Sequence, residues 1–218
     1  MSKLLLIVPS RKRPQACEEL LAQFNQTASI DASILFGLDE DDKSQYSDEV
    51  LKYSSVNPRL RMGGTLNLLA RQNCDKYDYL AFMGDDHRPR TPHWDRQLTE
   101  AIGERPGVSY GNDLLQGANL PTAVVISAKI VQKIGYMVPP SLIHMYMDNF
   151  WRDMGAKLNN LNYLPDVIIE HMHYLAGKAA NDLQYQEVNS SAVYAKDQIA
   201  YGEYCENQMN KDIKAILS

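Results

Sequence analysis

The sequence predicts an α/β fold, a mixed and mainly parallel sheet flanked by helices in a single domain, on three observations. Leu4 to Val8 is an unbroken apolar run, the pattern of a strand buried on both faces. Cys17, Leu20, Leu21 and Phe24 then follow at helical spacing, which marks a helix with one buried face. The same alternation recurs through the first half of the chain, and strand–helix alternation implies parallel strands joined by right-handed crossovers.

The elements follow in order. Pro9-Ser10-Arg11 ends the first strand, and Pro14 stands where a helix begins. Ser33 to Gly37 is a second strand, running into the acidic loop Leu38-Asp39-Glu40-Asp41-Asp42. Gly63-Gly64 opens a helix with Leu66, Leu69 and Ala70 on its inner face and Cys74 one turn further on. Tyr79 to Met83 is a third strand that ends in Gly84-Asp85-Asp86-His87, and Trp94, Leu98 and Ile102 mark the helix after it. Ala123 to Ser127 is strand-like, and Ile130, Val131 and Ile134 form a short helix stopped by Gly135. Asp148 to Gly155 reads as a helix with Asp148 near its start. Leu161 to Leu164 and Val167 to His173 read as paired strands around a turn at Pro165-Asp166. From Ala176 the tail is polar and tyrosine-rich, with Ile213, Ile216 and Leu217 suited to a docked terminal helix.

Composition bounds the function. The chain has 218 residues, 44% hydrophobic and 22% charged, enough for one sizeable core. A net charge of −5 argues against a broad electrostatic footprint on nucleic acid. Cys17, Cys74 and Cys205 lie far apart without CxxC spacing, which fits buried thiols in a reducing compartment rather than a disulfide frame or zinc site. No stretch approaches the ~20 apolar residues of a membrane span, so the expected location is cytoplasmic.

Parallel sheets bind ligands at the carboxyl ends of their strands. Three loops should meet there, Ser10 to Arg13, Leu38 to Asp42 and Gly84 to His87. Asp85 and Asp86 at the end of a buried strand need a cationic partner, and oxygen ligands beside an imidazole suit Mn²⁺ or Mg²⁺. The plainer reading is a strand-end turn whose aspartates cap backbone amides. His171 and His173 lie two apart, on one face if the segment is a strand, and either is a possible metal ligand. Asp148 suits both a helix N-terminus and a rigidly oriented base. Asp39 is a loop solubiliser or an acceptor for a ligand's base or ribose, while Arg11 and Arg61 sit where phosphate would lie if the loops converge. Dinucleotide, P-loop and serine-nucleophile motifs are absent.

In their order along residues 3–175 these segments resemble the GT-A (Rossmann-like) glycosyltransferases, nearest the family-2-like group and especially its small phage-type members. Ile7-Val8-Pro9-Ser10-Arg11-Lys12-Arg13-Pro14 resembles the opening strand and loop that hold the nucleotide, implying contacts from Pro9, Ser10, Arg11 and Arg13. Gly37-Leu38-Asp39 resembles the second strand, whose acidic residue contacts the base. Gly63-Gly64-Thr65-Leu66-Asn67 resembles the family's Gly-x-x-x-Asn helix beside the sugar nucleotide, implying Gly64 and Asn67 near the donor, with Arg61 by the phosphates. Gly84-Asp85-Asp86 stands in the place of the DXD metal motif. Ile134-Gly135-Tyr136 followed by Met147-Asp148 resembles the segment leading to the acidic catalytic residue, and His171 and His173 resemble the C-terminal metal histidine.

Two positions depart from the family pattern. The first DXD position is Gly84, which leaves Asp86, with Asp85 beside it, to serve metal and donor. The usual Glu-Asp pair reads Met147-Asp148, a single carboxylate. The resemblance implies an inverting hexosyl- or pentosyltransferase in which Mn²⁺ or Mg²⁺, held by Asp86 and a histidine, activates a nucleoside-diphosphate sugar, expected to be a UDP-sugar. Asp148 would accept the proton of the acceptor hydroxyl. Residues 1–105 would form the nucleotide-binding half of one catalytic domain, 106–175 the acceptor half and 176–218 a tail. The acceptor stays open between a glycan, a protein and a modified nucleic-acid base, with Trp94, Trp151, Tyr110 and Tyr146 as stacking surfaces or core. Two rivals stand beside this reading. A sugar-nucleotide nucleotidyltransferase would want a glycine-rich loop after the first strand, and a non-catalytic nucleotide-sugar or glycan-binding module would need neither Asp148 nor the histidines.

Overall fold

A computed structural model describes residues 3–173, 177–178 and 191–218 of the chain. The strands are β1 (Leu4–Ser10), β2 (Ala32–Asp39), β3 (Ser54–Asn57), β4 (Tyr79–Phe82), β5 (His87–Pro89), β6 (Val108–Asn112), β7 (Val124–Ser127) and β8 (Leu161–His171). They form one sheet in the order β3-β2-β1-β4-β7-β6-β8-β5. The pairs β3–β2, β2–β1, β1–β4 and β6–β8 are parallel, while β7 runs antiparallel to both neighbours and β5 antiparallel to β8. The helices are α1 (Pro14–Thr27), α2 (Asp48–Leu51), α3 (Arg61–Asn73), α4 (Trp94–Ile102), α5 (Ala128–Ile134), α6 (Met147–Lys157), α7 (Ser191–Asn207) and α8 (Met209–Leu217).

The apolar run of β1 explains the layering. Successive strand residues face opposite sides, so Leu5 and Ile7 join one core with Leu66 and Leu69 of α3. Leu4, Leu6 and Val8 join a second core with Cys17, Leu20, Leu21 and Phe24 of α1. Fully burying each such side chain stabilises the fold by about 1.5–3 kcal/mol, which makes this strand the spine of both layers. Trp94 and Trp151, expected as possible stacking surfaces, are fully buried core residues, and Tyr110 is nearly so.

Some boundaries differ from expectation. The two segments around Pro165-Asp166 are not a hairpin but one continuous strand, β8. Its register with β6 jumps from Gly111↔Leu164 to Asn112↔Ile168, so the intervening residues bulge out. Proline lacks the donor that a ladder needs, and a bulge accommodates it. Gly111 admits the bulge, because a Cβ there would lie 2.2 Å from the Val167 carbonyl oxygen. Helix α3 begins at Arg61 rather than at the glycine pair. Gly63 instead permits close approach, since a Cβ on it would meet the Leu142 carbonyl oxygen at 2.3 Å. Helix α6 starts beside Asp148 as expected and runs past Gly155 to Lys157. The tyrosine-rich tail contains α7, and the expected terminal helix is α8. Among the described residues no helix is long and apolar enough to cross a membrane.

Candidate active site

The carboxyl ends of β1, β2 and β4 open into one cleft, and the three expected loops meet there. Ser10 Oγ donates to Asp85 Oδ2 at 2.6 Å, and Arg13 Nη1 to Asp85 Oδ1 at 3.1 Å. Arg11 donates to Asp39 at 2.7 Å and holds Asp41 through both terminal nitrogens at 2.7 and 2.8 Å. Arg59 stands 3.8 Å from Asp39 on the other side. Arg61 enters the lining from the first residue of α3, with φ at 60°. His144, Tyr146, Asp148, His171 and His173 also line the cleft.

The turn after β4 carries the chemistry. Asp86 Oδ1 lies 3.3 Å from His87 Nδ1, and Asp86 Oδ2 lies 3.4 Å from His171 Nε2. Antiparallel register sets His87 opposite His171, and their rings stack at 4.2 Å. His173 sits edge-on to His171 at 4.9 Å, beyond the end of the strand. Gly84 makes room for this cluster: a Cβ on it would lie 2.6 Å from Asp86 Oδ1 and 3.2 Å from His87 Nδ1. Below the turn the buried Arg88 donates to the Asp85 and His87 carbonyls, each at 2.7 Å, and to Glu19 of α1 at 2.7 Å. A backbone bond from Met172 N to Asp86 O ties the end of β8 to the turn, and one from His171 N to Asp113 O ties it to the residue after β6.

The two aspartates have opposite electrostatics. Burial and the Asp86 charge push the Asp85 carboxyl up to about 6 against the pull of Arg13 and Ser10. Burial acts on Asp86 in the same direction, but the hydrogen bond and charge of His171 outweigh it and hold Asp86 well below the usual carboxylate range. Burial lowers His87, whereas for His171 the carboxylates, Asp86 first, overcome burial and raise it.

A divalent cation fits this cluster on the chemistry of its donors. Asp86, His87 and His171 bring ligand atoms within 4.8 Å of one another. Within the trio, His87 uses both nitrogens inside the fold. Gly84 N–H donates to Nδ1 at 3.1 Å, which leaves Nε2 as the donor facing Thr122 Oγ1 at 3.4 Å. His171 Nδ1 is buried without a hydrogen-bond partner, 3.9 Å from Asp113 Oδ2. A metal-bound imidazole commonly turns its second nitrogen toward such a carboxylate. One ionised carboxylate and one imidazole would thus hold the ion, with further positions open to a ligand's oxygens.

Asp148 also lines the cleft, in the first turn of α6. No side chain caps that helix, so its carboxylate is not consumed as a cap. Burial pushes it up to about 7, against the opposing pull of His171 and with a smaller push from Asp113.

Two expected donor contacts stand elsewhere. Asn67 is buried and clamps the α5–α6 connection, accepting from Met137 N at 2.8 Å and Val138 N at 3.0 Å and donating to Val138 O at 2.9 Å. Asn67→Ala is therefore expected to lower unfolding stability in urea by about 2–4 kcal/mol, because two buried amides lose their acceptor. Gly64 faces Leu60 and is not part of the cleft wall. Conversely, Arg59, Thr122 and His144 were not expected in the cleft, whereas His87 was read as the imidazole beside Asp85 and Asp86. Arg59 stood two residues from the noted Arg61, whereas a lone threonine and a lone histidine in irregular chain carry no sequence signal.

No protein-family model and no curated sequence matches the chain. Solved structures do. Glucosyl-3-phosphoglycerate synthase from Mycobacterium tuberculosis, in complex with Mn²⁺, UDP-glucose and phosphoglyceric acid, superposes with a TM-score of 0.60 at 12% identity, covering 92% of this chain and 80% of that one. The mannosyltransferase PcManGT from Pyrobaculum calidifontis, in complex with GDP-Man and Mn²⁺, gives 0.58 at 10% identity, covering 99% and 73%. S. aureus TarS 1–349, in complex with UDP, gives 0.56 at 14% identity over 77% of this chain, which spans 59% of that fragment. The mixed eight-stranded sheet, its flanking helices and these superpositions together show that the chain has the GT-A, Rossmann-like fold of glycosyltransferases.

Proposed function

We propose that the protein is a metal-dependent glycosyltransferase that moves a sugar from a nucleoside-diphosphate sugar, a UDP-sugar first among the donors, to an acceptor hydroxyl with inversion. The observation that carries this reading is that the Asp86–His171 pair and Asp148 line one cleft. UDP, UDP-glucose and GDP-Man are the ligands of the solved structures this fold resembles, which supports a nucleotide-sugar donor.

Asp86 and His171 would hold Mn²⁺ or Mg²⁺, with His173 beside them, and the bound ion would neutralise the diphosphate leaving group. The chain's own groups do the rest. Asp39 and the loop Pro9 to Arg13 receive the nucleoside, with Arg11 fixed between two carboxylates as part of that wall. Arg13 and Arg61 set positive charge near the phosphates, and Asp85, restrained by Ser10 and Arg13, keeps the loop closed against the turn. Asp148 accepts the hydroxyl proton, and a carboxyl near 7 is well matched to that task at neutral pH. Release of nucleoside diphosphate from a panel of UDP- and GDP-sugars with Mn²⁺ is the direct test. Turnover of at least one donor, lost on adding a chelator and regained with Mn²⁺, is expected. No release from any donor, with or without acceptor sugars, would overturn the reading.

A further inference from the structure

The segment between α5 and α6 supplies His144, Met145 and Tyr146 to the cleft, yet residues 135–146 have no helix or strand of their own. Its backbone also enters α6 through Tyr146 at φ 64°, a left-handed conformation that a tyrosine holds only when its surroundings impose it. What imposes it comes from the far end of the chain. Asp197 of α7, fully buried, accepts from Ile143 N at 3.1 Å, His144 N at 2.8 Å and Met145 N at 2.7 Å. Three successive amides converging on one carboxylate form an anion nest whose anion is built into the protein. The same helix face adds Tyr194 and Tyr201, three residues before and four after Asp197, whose rings contact Tyr146 at 5.4 and 5.6 Å.

We propose that Asp197 is a positioning residue of the active site: its carboxylate fixes the backbone of Ile143–Met145 and thereby aims the Tyr146–Asp148 start of α6 at the cleft. Helix α7 then belongs to the catalytic apparatus rather than to a tail. Asp148 acts on the acceptor proton, so the catalytic half of this inference rests on the function proposed above, while its structural half does not.

Asp197→Asn tests both halves, because the amide keeps the size but offers one acceptor oxygen and turns an NH₂ toward N–H donors. Amide hydrogen exchange of Ile143, His144 and Met145 is expected to be slow in the wild type and at least ~10-fold faster in the variant, with core strands unchanged. The kcat for sugar transfer is expected to fall ~10–100-fold, as for a small misplacement of a catalytic group, with donor KM held within ~3-fold. A rise in donor KM at unchanged kcat would overturn the proposal, as would exchange of the three amides that is unaffected by the substitution. If the variant does not fold, the wild type decides: exchange of these amides at the rate of exposed loops overturns the clamp. If no donor is turned over, the exchange result still stands and only the transferase reading fails.

Discussion

Asp148→Asn is expected to lower sugar transfer by ~10²–10⁴-fold, the usual contribution of a general base, and to stabilise the metal-free protein at the same time. The two effects share one cause. An unfolded chain titrates this carboxyl near ~3.9. In the cleft burial pushes it up to about 7. The folded state therefore holds the proton more tightly than the unfolded state, and proton binding favours folding. That contribution is fully present below ~pH 4 and is lost as pH rises toward 7, above which the ionised carboxylate is a cost carried by the fold. Asparagine removes the titration. In chelator-treated protein the variant should gain roughly 1–4 kcal/mol over wild type at pH 8 relative to the difference between them at pH 4. Urea titrations at the two pH values measure it. A stability difference that does not change with pH would remove the raised carboxyl, and an unimpaired kcat would remove the base.

Asp86→Ala is expected to abolish Mn²⁺-dependent release of nucleoside diphosphate, a loss of at least ~10³-fold if the ion contributes several kcal/mol to leaving-group departure. Asp86 is the residue to substitute because it is the aspartate of the pair held ionised, between His87 and His171. Asp85 is already committed to Ser10 and Arg13. Titration of Mn²⁺ followed by its paramagnetic signal separates loss of the ion from loss of chemistry. Wild-type turnover in the variant would remove the role assigned to Asp86.

How much of this was legible follows from what each element is made of. Strands β1, β2, β4 and β7 are apolar runs and announce themselves, and so do α1 and α4. Edge strand β3, Ser54-Ser55-Val56-Asn57, buries little and offers no period to read. Strand β5 is three residues hidden inside the metal motif, legible only once β8 is beside it. Helix α7 buries Asp197, Tyr201 and Tyr204, and a buried face made of two tyrosines and an aspartate looks like surface to any hydrophobic count. The convergence of the three loops was readable because parallel topology dictates it. Asn67 was not, because a buried amide serving backbone groups and an amide serving a ligand look alike in one dimension.

Gly84 carries a consequence for substitution at the turn. At that position the familiar metal motif has a carboxylate, and here the space a side chain would need is filled by Asp86 and His87 themselves. Gly84→Asp would not simply add a carboxylate to the cluster, because the side chains of Asp86 and His87 would have to shift to admit it. In the proposed site a histidine paired into the sheet opposite His87 supplies the ligand that a carboxylate at the first motif position would otherwise offer.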